Sequence, residues 1–237
     1  MSTTRPEKIR INDLHAFYGE SHILHGIDMS VGQGELVTLL GRNGAGRSTT
    51  LKAIMSMVGR RTGSIVINGT ETINMPAHKI AHLGMGFCPE ERGIFSSLNV
   101  EENLMLPPAV RSDGVSVEEI YEMFPNLAER RYSQGTRLSG GEQQMLALAR
   151  ILRTGANILL LDEITEGLAP VIVQKLAEVL MQLKERGLTI LLVEQNFRFA
   201  APIADRHYVM EHGHIVEEVH AHELEAKTEL LNTYLGV

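Results

Sequence analysis

Nine residues, Gly41-Arg42-Asn43-Gly44-Ala45-Gly46-Arg47-Ser48-Thr49, have the composition and spacing of a loop that grips phosphate. They follow Glu35-Leu36-Val37-Thr38-Leu39-Leu40, an apolar run of strand type, and lead into Thr50-Leu51-Lys52-Ala53-Ile54-Met55, which reads as the first turns of a helix. A strand, a glycine-rich turn and a helix start together present a row of backbone N–H groups and a positive dipole end to an anion. Gly41, Gly44 and Gly46 supply the freedom and the missing side chains that close approach to phosphate needs. Ser48 is placed to hold Mg²⁺ through its hydroxyl. Position 47 is an arginine where such loops carry lysine. Lysine is a compact ammonium on a flexible stem. Arginine keeps the charge but is longer, planar and forked, so it must crowd the phosphates or swing aside. The expectation is weaker nucleotide binding and turnover lowered about tenfold or more, roughly 1.4 kcal/mol in the barrier. Local adjustment that seats the guanidinium would leave the rate unchanged.

Two further segments extend the chemistry. Ile158-Leu159-Leu160-Leu161-Asp162-Glu163 is an apolar run ending in two carboxylates, which suits a buried parallel strand whose C-terminal end opens on a site. Asp162 there can hold Mg²⁺, directly or through water, and Glu163 can polarise an attacking water. Leu138-Ser139-Gly140-Gly141-Glu142-Gln143-Gln144 places a serine at a helix N-cap before two glycines, a second helix start able to face an anion. Two phosphate-facing helix starts in one chain suggest that one of them serves a neighbouring molecule.

With these three segments in hand, the chain resembles the ATP-binding subunit of an ABC transporter, and the resemblance covers nearly all of it. It implies an α/β P-loop NTPase fold with a RecA-like parallel-sheet core, an N-terminal antiparallel β subdomain and an α-helical signature subdomain. The single domain would span 1–237, with residues 1–95 and 154–237 forming the ATP-binding core and 96–153 the helical part. It also implies that two such subunits sandwich two ATP molecules. Backbone amides of Asn43, Gly44, Ala45, Gly46, Arg47, Ser48 and Thr49 would hold the phosphates. Tyr18 resembles the aromatic that stacks on adenine. Ser48, Asp162 and Glu90 would organise Mg²⁺, Glu163 would polarise water, and Gln195 would contact the γ-phosphate. Ser139, Gly140 and Gly141 would close over the ATP held by the other subunit.

The chain departs from the family pattern at Glu90, where most members have glutamine, at Gln195, where most have histidine, and at Ala169, where most have aspartate. These departures, with Cys88-Pro89-Glu90-Glu91-Arg92-Gly93-Ile94-Phe95, Val100-Glu101-Glu102-Asn103-Leu104 and Glu166-Gly167-Leu168-Ala169-Pro170, are similar to the smaller ATPase subunit of branched-chain amino-acid importers. That subfamily implies a heterodimer with a related ATPase, two membrane permease subunits and an external solute-binding protein. It also implies a peripheral place on the cytoplasmic face of the inner membrane. Importers of urea, amides or other small solutes use closely similar subunits. Arg47 favours a second reading, a nucleotide-binding subunit with little hydrolysis. A third, an ABC ATPase of repair or translation, would carry a second ATPase half or a coiled insertion, and this chain has neither. Ile164 stands where proline follows the two carboxylates, and is expected to loosen a backbone that proline would fix near φ −65°.

Composition agrees. The 237 residues suffice for one large domain, and 43% hydrophobic with 22% charged residues is ordinary for a packed protein. No apolar stretch reaches 18 residues, so no span of a bilayer is expected. The start, Met1 to Lys8, has no apolar signal core, and export is not expected. The single cysteine, Cys88, excludes an internal disulfide and reads as a small buried residue. A net charge of −7 argues against nucleic acid as the partner.

Along the chain, residues 8–40 alternate as short strands with turns, and 63–69 read as a strand ending in an Asn-Gly turn. Helical spacing dominates from Val100 to Arg153. Strand and helix then alternate: Ile158–Leu161, a helix from Pro170 to Arg186, and Thr189–Val193. A hairpin turning at Gly213 and a last helix from Ala221 to Tyr234 complete the order. His212, His214, His220 and His222 have no carboxylate or cysteine partner at ligand spacing. Met55, Met57 and Met105 read as core fillers, and Glu101-Glu102 and Glu217-Glu218 as solvated faces.

Overall fold

The computed structural model describes residues 5–236. Its centre is a six-stranded sheet built from β3 (Leu36–Gly41), β6 (Met85–Cys88), β7 (Ile158–Asp162), β8 (Thr189–Glu194), β9 (Arg206–Glu211) and β10 (His214–His220). The strand order is β10-β9-β3-β8-β7-β6. All pairs are parallel except β9–β10, the predicted hairpin, which turns through His212 and Gly213 at φ 46° and 77°. Both faces of the parallel strands are covered, so β7 is apolar at every position before its acid. Its residues divide by pleat. Leu159 and Leu161 join the core on one face, while Ile158 and Leu160 join the core on the other.

On the second face lies a four-stranded antiparallel sheet in the order β2-β1-β4-β5, made of β1 (Glu7–Tyr18), β2 (Ser21–Gly32), β4 (Arg60–Ile67) and β5 (Thr70–Glu71). Here the expected short strands are two long ones of 12 residues each. Register shifts between Ile11 and Leu14 and again between Ala16 and Phe17 are β-bulges. Each bulge resets the inside–outside alternation, so one strand reads as several in the sequence. The predicted turn after β4 is present, with Asn68 and Gly69 at φ 50° and 78°. Between the sheets sits α1 (Arg47–Ile54), and α2 (Ala77–Ala81) precedes β6.

The first face carries the helices. The helical stretch from Val100 to Arg153 is four α-helices, α3 (Val100–Met105), α4 (Val117–Met123), α5 (Pro125–Glu129) and α6 (Gly140–Arg153), with a 3₁₀ turn at Gly135–Arg137 before the last. Leu104, Ile120, Leu127 and Leu148 from these pieces share one buried cluster with Leu161 of β7 and Leu176 of α7 (Pro170–Glu185). From within α3, buried Asn103 holds the segment before the helix with its side-chain amide, donating to the carbonyls of Phe95, Leu98 and Asn99 and accepting from the Phe95 N–H. The short α8 (Phe197–Ala200) comes after β8. The last helix, α9 (Leu224–Leu235), begins after a 3₁₀ turn at Ala221–Glu223, later than the sequence pattern suggests.

Two of the methionines correct their expected burial: Met55 is buried, but Met57 and Met105 are 53% and 55% exposed. Met57 lies in the loop between α1 and β4, and Met105 is the last residue of α3. Among the described residues no helix is long and apolar enough to cross a membrane.

Candidate nucleotide-binding and catalytic site

Parallel pairing decides which residues meet. Leu40 of β3 aligns with Glu194 of β8, Val193 of β8 with Asp162 of β7, and Leu161 of β7 with Cys88 of β6. The segments leaving these four strands therefore emerge at one edge of the sheet. They are the glycine-rich loop, Gln195, Glu163 and the turn bearing Glu90. This is where open α/β sheets bind ligands, outside the carboxyl ends of their strands.

The loop enters α1 through Gly46, whose φ of 109° is denied to side-chain-bearing residues. A β-carbon there would also meet Leu24 at 2.9 Å. The N–H of Gly213, at the tip of the β9–β10 hairpin, donates to the Ala45 carbonyl at 2.8 Å, and Gly213 in turn accepts from the His25 N–H at 2.9 Å. The loop is thus pinned from outside by a segment far along the chain. In front of it lies a cavity of about 410 Å³ lined by Gly44, Gly46, Arg47, Ser48 and Glu163, with Glu90, Glu166 and Ile23 also on its wall.

Ser48 donates its hydroxyl to Asp162 Oδ1 at 2.9 Å. Burial pushes the Asp162 carboxyl up to about 6, the Ser48 bond and Lys52 opposing, with Glu163 and Glu90 adding to the rise. Glu90 is also raised, first by burial and then by Glu163, Glu166 and Glu91. The cavity wall is therefore rich in carboxylates that a cation would relieve. Hard oxygen donors of this kind suit Mg²⁺. No cluster of three His, Cys, Asp or Glu able to hold a metal occurs among the described residues. The chain's own oxygens are too few, and Mg²⁺ in such sites completes its shell with phosphates and water.

Arg47 is 3% exposed and neither projects into solvent nor reaches along the loop alone. Its Nη2 donates to Glu163 Oε1 at 2.7 Å and to Asn43 Oδ1 at 3.1 Å. Its Nη1 is buried with no protein partner. A buried guanidinium nitrogen facing a phosphate loop and lacking an acceptor fits an anionic ligand. Glu163 stands at φ 48° in the left-handed region, with its N–H donating to the Val193 carbonyl at 2.9 Å. Ile164 behind it is fully buried in the core beside α7. Its packing restrains the segment after Glu163, against the loosening expected of a residue other than proline.

The other sequence-predicted residues fall in three places. Tyr18 ends β1, 43% exposed, as an open aromatic platform. Gln195 lies outside the phosphate cavity, on an adjoining one of about 270 Å³ that shares Glu163 and Glu166 with it. Ser139 caps α6, accepting from the Glu142 N–H at 3.3 Å, while the Glu142 carboxylate accepts from the Ser139 N–H at 2.7 Å. Gly140 and Gly141 form the first turn after that cap, and none of the three lines the chain's own phosphate cavity.

Sequence reading missed Ile23 and Glu166 on the cavity wall. It also missed a buried clamp in which the Thr165 N–H and hydroxyl both donate to Glu194, at 3.1 and 2.9 Å. That clamp joins the segment after Glu163 to the residue before Gln195. Burial raises the Glu194 carboxyl to about 7 in spite of those bonds. Cys88 is buried as expected, and its thiol is pushed up to about 12 by burial. Of the weighed histidines, His214 stacks on His25 and His220 on His222.

A parallel sheet, a phosphate loop opening α1 and a Ser48–Asp162 pair beside Glu163 together define a P-loop nucleotide-binding protein. The family described as ABC transporter matches residues 24–166, and the chain belongs to that family. It resembles the high-affinity branched-chain amino acid transport ATP-binding protein BraG of Pseudomonas aeruginosa, 38% identical over 96% of this chain and 99% of that one. It also resembles the lipopolysaccharide export system ATP-binding protein LptB of Escherichia coli K12, 32% identical over 92% and 93%. The ADP conformation of MJ1267, an ATP-binding cassette of an ABC transporter, superposes with a TM-score of 0.80 at 22% identity, covering 98% and 99%. That last likeness is one of fold. As a member of the family the chain binds ATP and couples its hydrolysis to transport.

Proposed function

We propose that this chain is the smaller ATPase of an importer for branched-chain amino acids, working against a second, related ATPase. The observation that carries the catalytic part is the convergence of the phosphate loop, the Ser48–Asp162 pair and Glu163 at one sheet edge. Amides of residues 43–49 and the Arg47 guanidinium bind the phosphates of ATP. Ser48, Asp162 and Glu90 supply the oxygens for Mg²⁺, which, when bound, offsets charge on the phosphate oxygens. Glu163 accepts a hydrogen bond from water and draws off its proton as the water oxygen bonds to the γ-phosphorus. The bond from that phosphorus to the β–γ bridging oxygen breaks, and ADP leaves. Gln195 orients the γ-phosphate from the adjoining cavity, and Tyr18 stacks on the base. Ser139, Gly140 and Gly141 act on the nucleotide of the facing subunit, within a helical subdomain spanning 96–153.

Permease subunits are read from a second feature. A groove of about 420 Å³, walled by Met85, Phe87, Pro107, Pro108, Val110 and Ile151, begins just before Glu90, and Met105 and Leu106 are exposed close to it. An apolar helix end from a permease fits it, so movement there reaches Glu90 directly. The chain would then sit peripherally on the cytoplasmic face of the inner membrane. Import of branched-chain amino acids is favoured over lipopolysaccharide export by the higher identity to BraG than to LptB, 38% against 32%.

The test is ATP hydrolysis and leucine uptake by the assembly reconstituted with its permeases. Glu163→Gln is expected to lower hydrolysis by about 10²-fold or more while nucleotide binding survives. Unchanged hydrolysis would remove Glu163 from its role as the base. Hydrolysis without leucine uptake would leave the ATPase and overturn the solute.

A further inference from the structure

Resting on that reading of the site, we propose that Arg47 and Glu163 form a latch, in which one guanidinium serves alternately the water-polarising carboxylate and the nucleotide phosphates. The geometry is specific to arginine at this position. Nη2 is 2.7 Å from Glu163 Oε1 and 3.1 Å from Asn43 Oδ1, while Nη1 is buried and unpartnered. The pair is shielded from water, with side-chain exposures of 3% and 13%.

Elementary chemistry sets the terms of the exchange. A carboxylate that accepts a charge-assisted bond is a poorer proton acceptor, so Glu163 is a weaker base toward water while Oε1 is held. The guanidinium cannot lose its proton to escape, because arginine stays charged in proteins. Phosphate arriving at Nη1 and Glu163 on Nη2 therefore compete for the charge and orientation of one rigid guanidinium, and whichever anion gains Arg47 determines whether Glu163 is available. Anions on the wall sharpen the competition. Glu90 and Glu166 face the same cavity, and Glu163 acts on Glu90 to raise it. Giving Arg47 up to phosphate thus leaves Glu163 among like charges and available to water, so binding of nucleotide itself arms the base. A lysine of ordinary reach would present a single point charge with no second nitrogen held in reserve.

A double-mutant cycle on the full chain tests this, with Glu163→Gln, Arg47→Gln and the double variant. ADP affinity by titration calorimetry and the thermal midpoint without nucleotide are the two readings. Glu163→Gln removes the competing charge, so it is expected to tighten ADP about fivefold to tenfold in the native background and less than about twofold in the Arg47→Gln background. The midpoint should drop by about 5 °C or more on Glu163→Gln alone and change by less than about 2 °C when Arg47 is already glutamine. Equal effects in both backgrounds, in either reading, would overturn the latch. Should Arg47→Gln bind too weakly to titrate, the midpoints decide alone. Failure of the native chain to bind any adenine nucleotide would overturn the latch and the proposed function together. Binding without coupling would overturn the latch only.

Discussion

At position 47 the proposed latch sets two functions against each other for one side chain, with a kinetic consequence. Arg47→Lys keeps the charge but removes the second nitrogen, Nη1, and replaces the planar group whose Nη2 meets both Glu163 and Asn43. Steady-state hydrolysis by the assembled transporter is expected to rise about tenfold or more in the lysine variant, roughly 1.4 kcal/mol off the barrier. Equal rates would mean that the loop seats the guanidinium without loss. The candidate site was legible where its residues are contiguous. Gly41 to Thr49 and Asp162-Glu163 stand out by spacing alone as candidates for phosphate and cation chemistry. The links between segments could not be read: the Thr165–Glu194 clamp, the Arg47–Glu163 pair and Gly213 on Ala45 join positions with no sequence period between them. Glu194 stood in plain view beside Gln195. Nothing in one chain's sequence says that a buried strand end will meet a threonine from a neighbouring loop.

Strand β9 poses a titration problem of its own. His207 is fully buried against β3, its Nδ1 2.6 Å from the Thr38 hydroxyl, with Phe197 edge-on to the ring and Nε2 without a partner. Burial lowers it to about 4, from an ordinary 6.5. The folded state therefore holds this ring neutral. Its contribution is complete above pH 6.5 and is lost as pH falls toward 4, by up to roughly 3 kcal/mol at 1.36 kcal/mol per unit. Unfolding followed from pH 7 to 4 should show a steeper fall for the native chain than for His207→Gln, and parallel curves would contradict the assignment. Glu194 works in the opposite direction, since its raised carboxyl favours the fold at low pH and weakens it as pH rises from 4.5 to about 7. The variant comparison isolates the histidine from it. Elements with a clean period, α7 and β8, were legible to within one residue. Bulges obscured β1 and β2, and the broken helices of 100–153 could not be divided because caps such as Asn99 and Ser116 resemble ordinary polar residues until their glutamates fold back on them.

For the molecule as a whole, the exposed Met105 and Leu106 beside the groove are the surface on which the membrane partner is proposed to seat. Met105→Glu is expected to leave nucleotide affinity and thermal midpoint unchanged while reducing recovery of permease subunits in pull-down about tenfold, and full recovery would move the docking face elsewhere. The hairpin that ends at Gly213 has a consequence in time rather than space. β3 lies between β8 and β9, and Ala45 takes its outer hydrogen bond from Gly213. Every motif that names the nucleotide has left the ribosome before these residues emerge. A nascent chain stopped at residue 204 would thus carry every one of these motifs while lacking both the strand that flanks β3 and the Gly213 bond that holds the loop from outside.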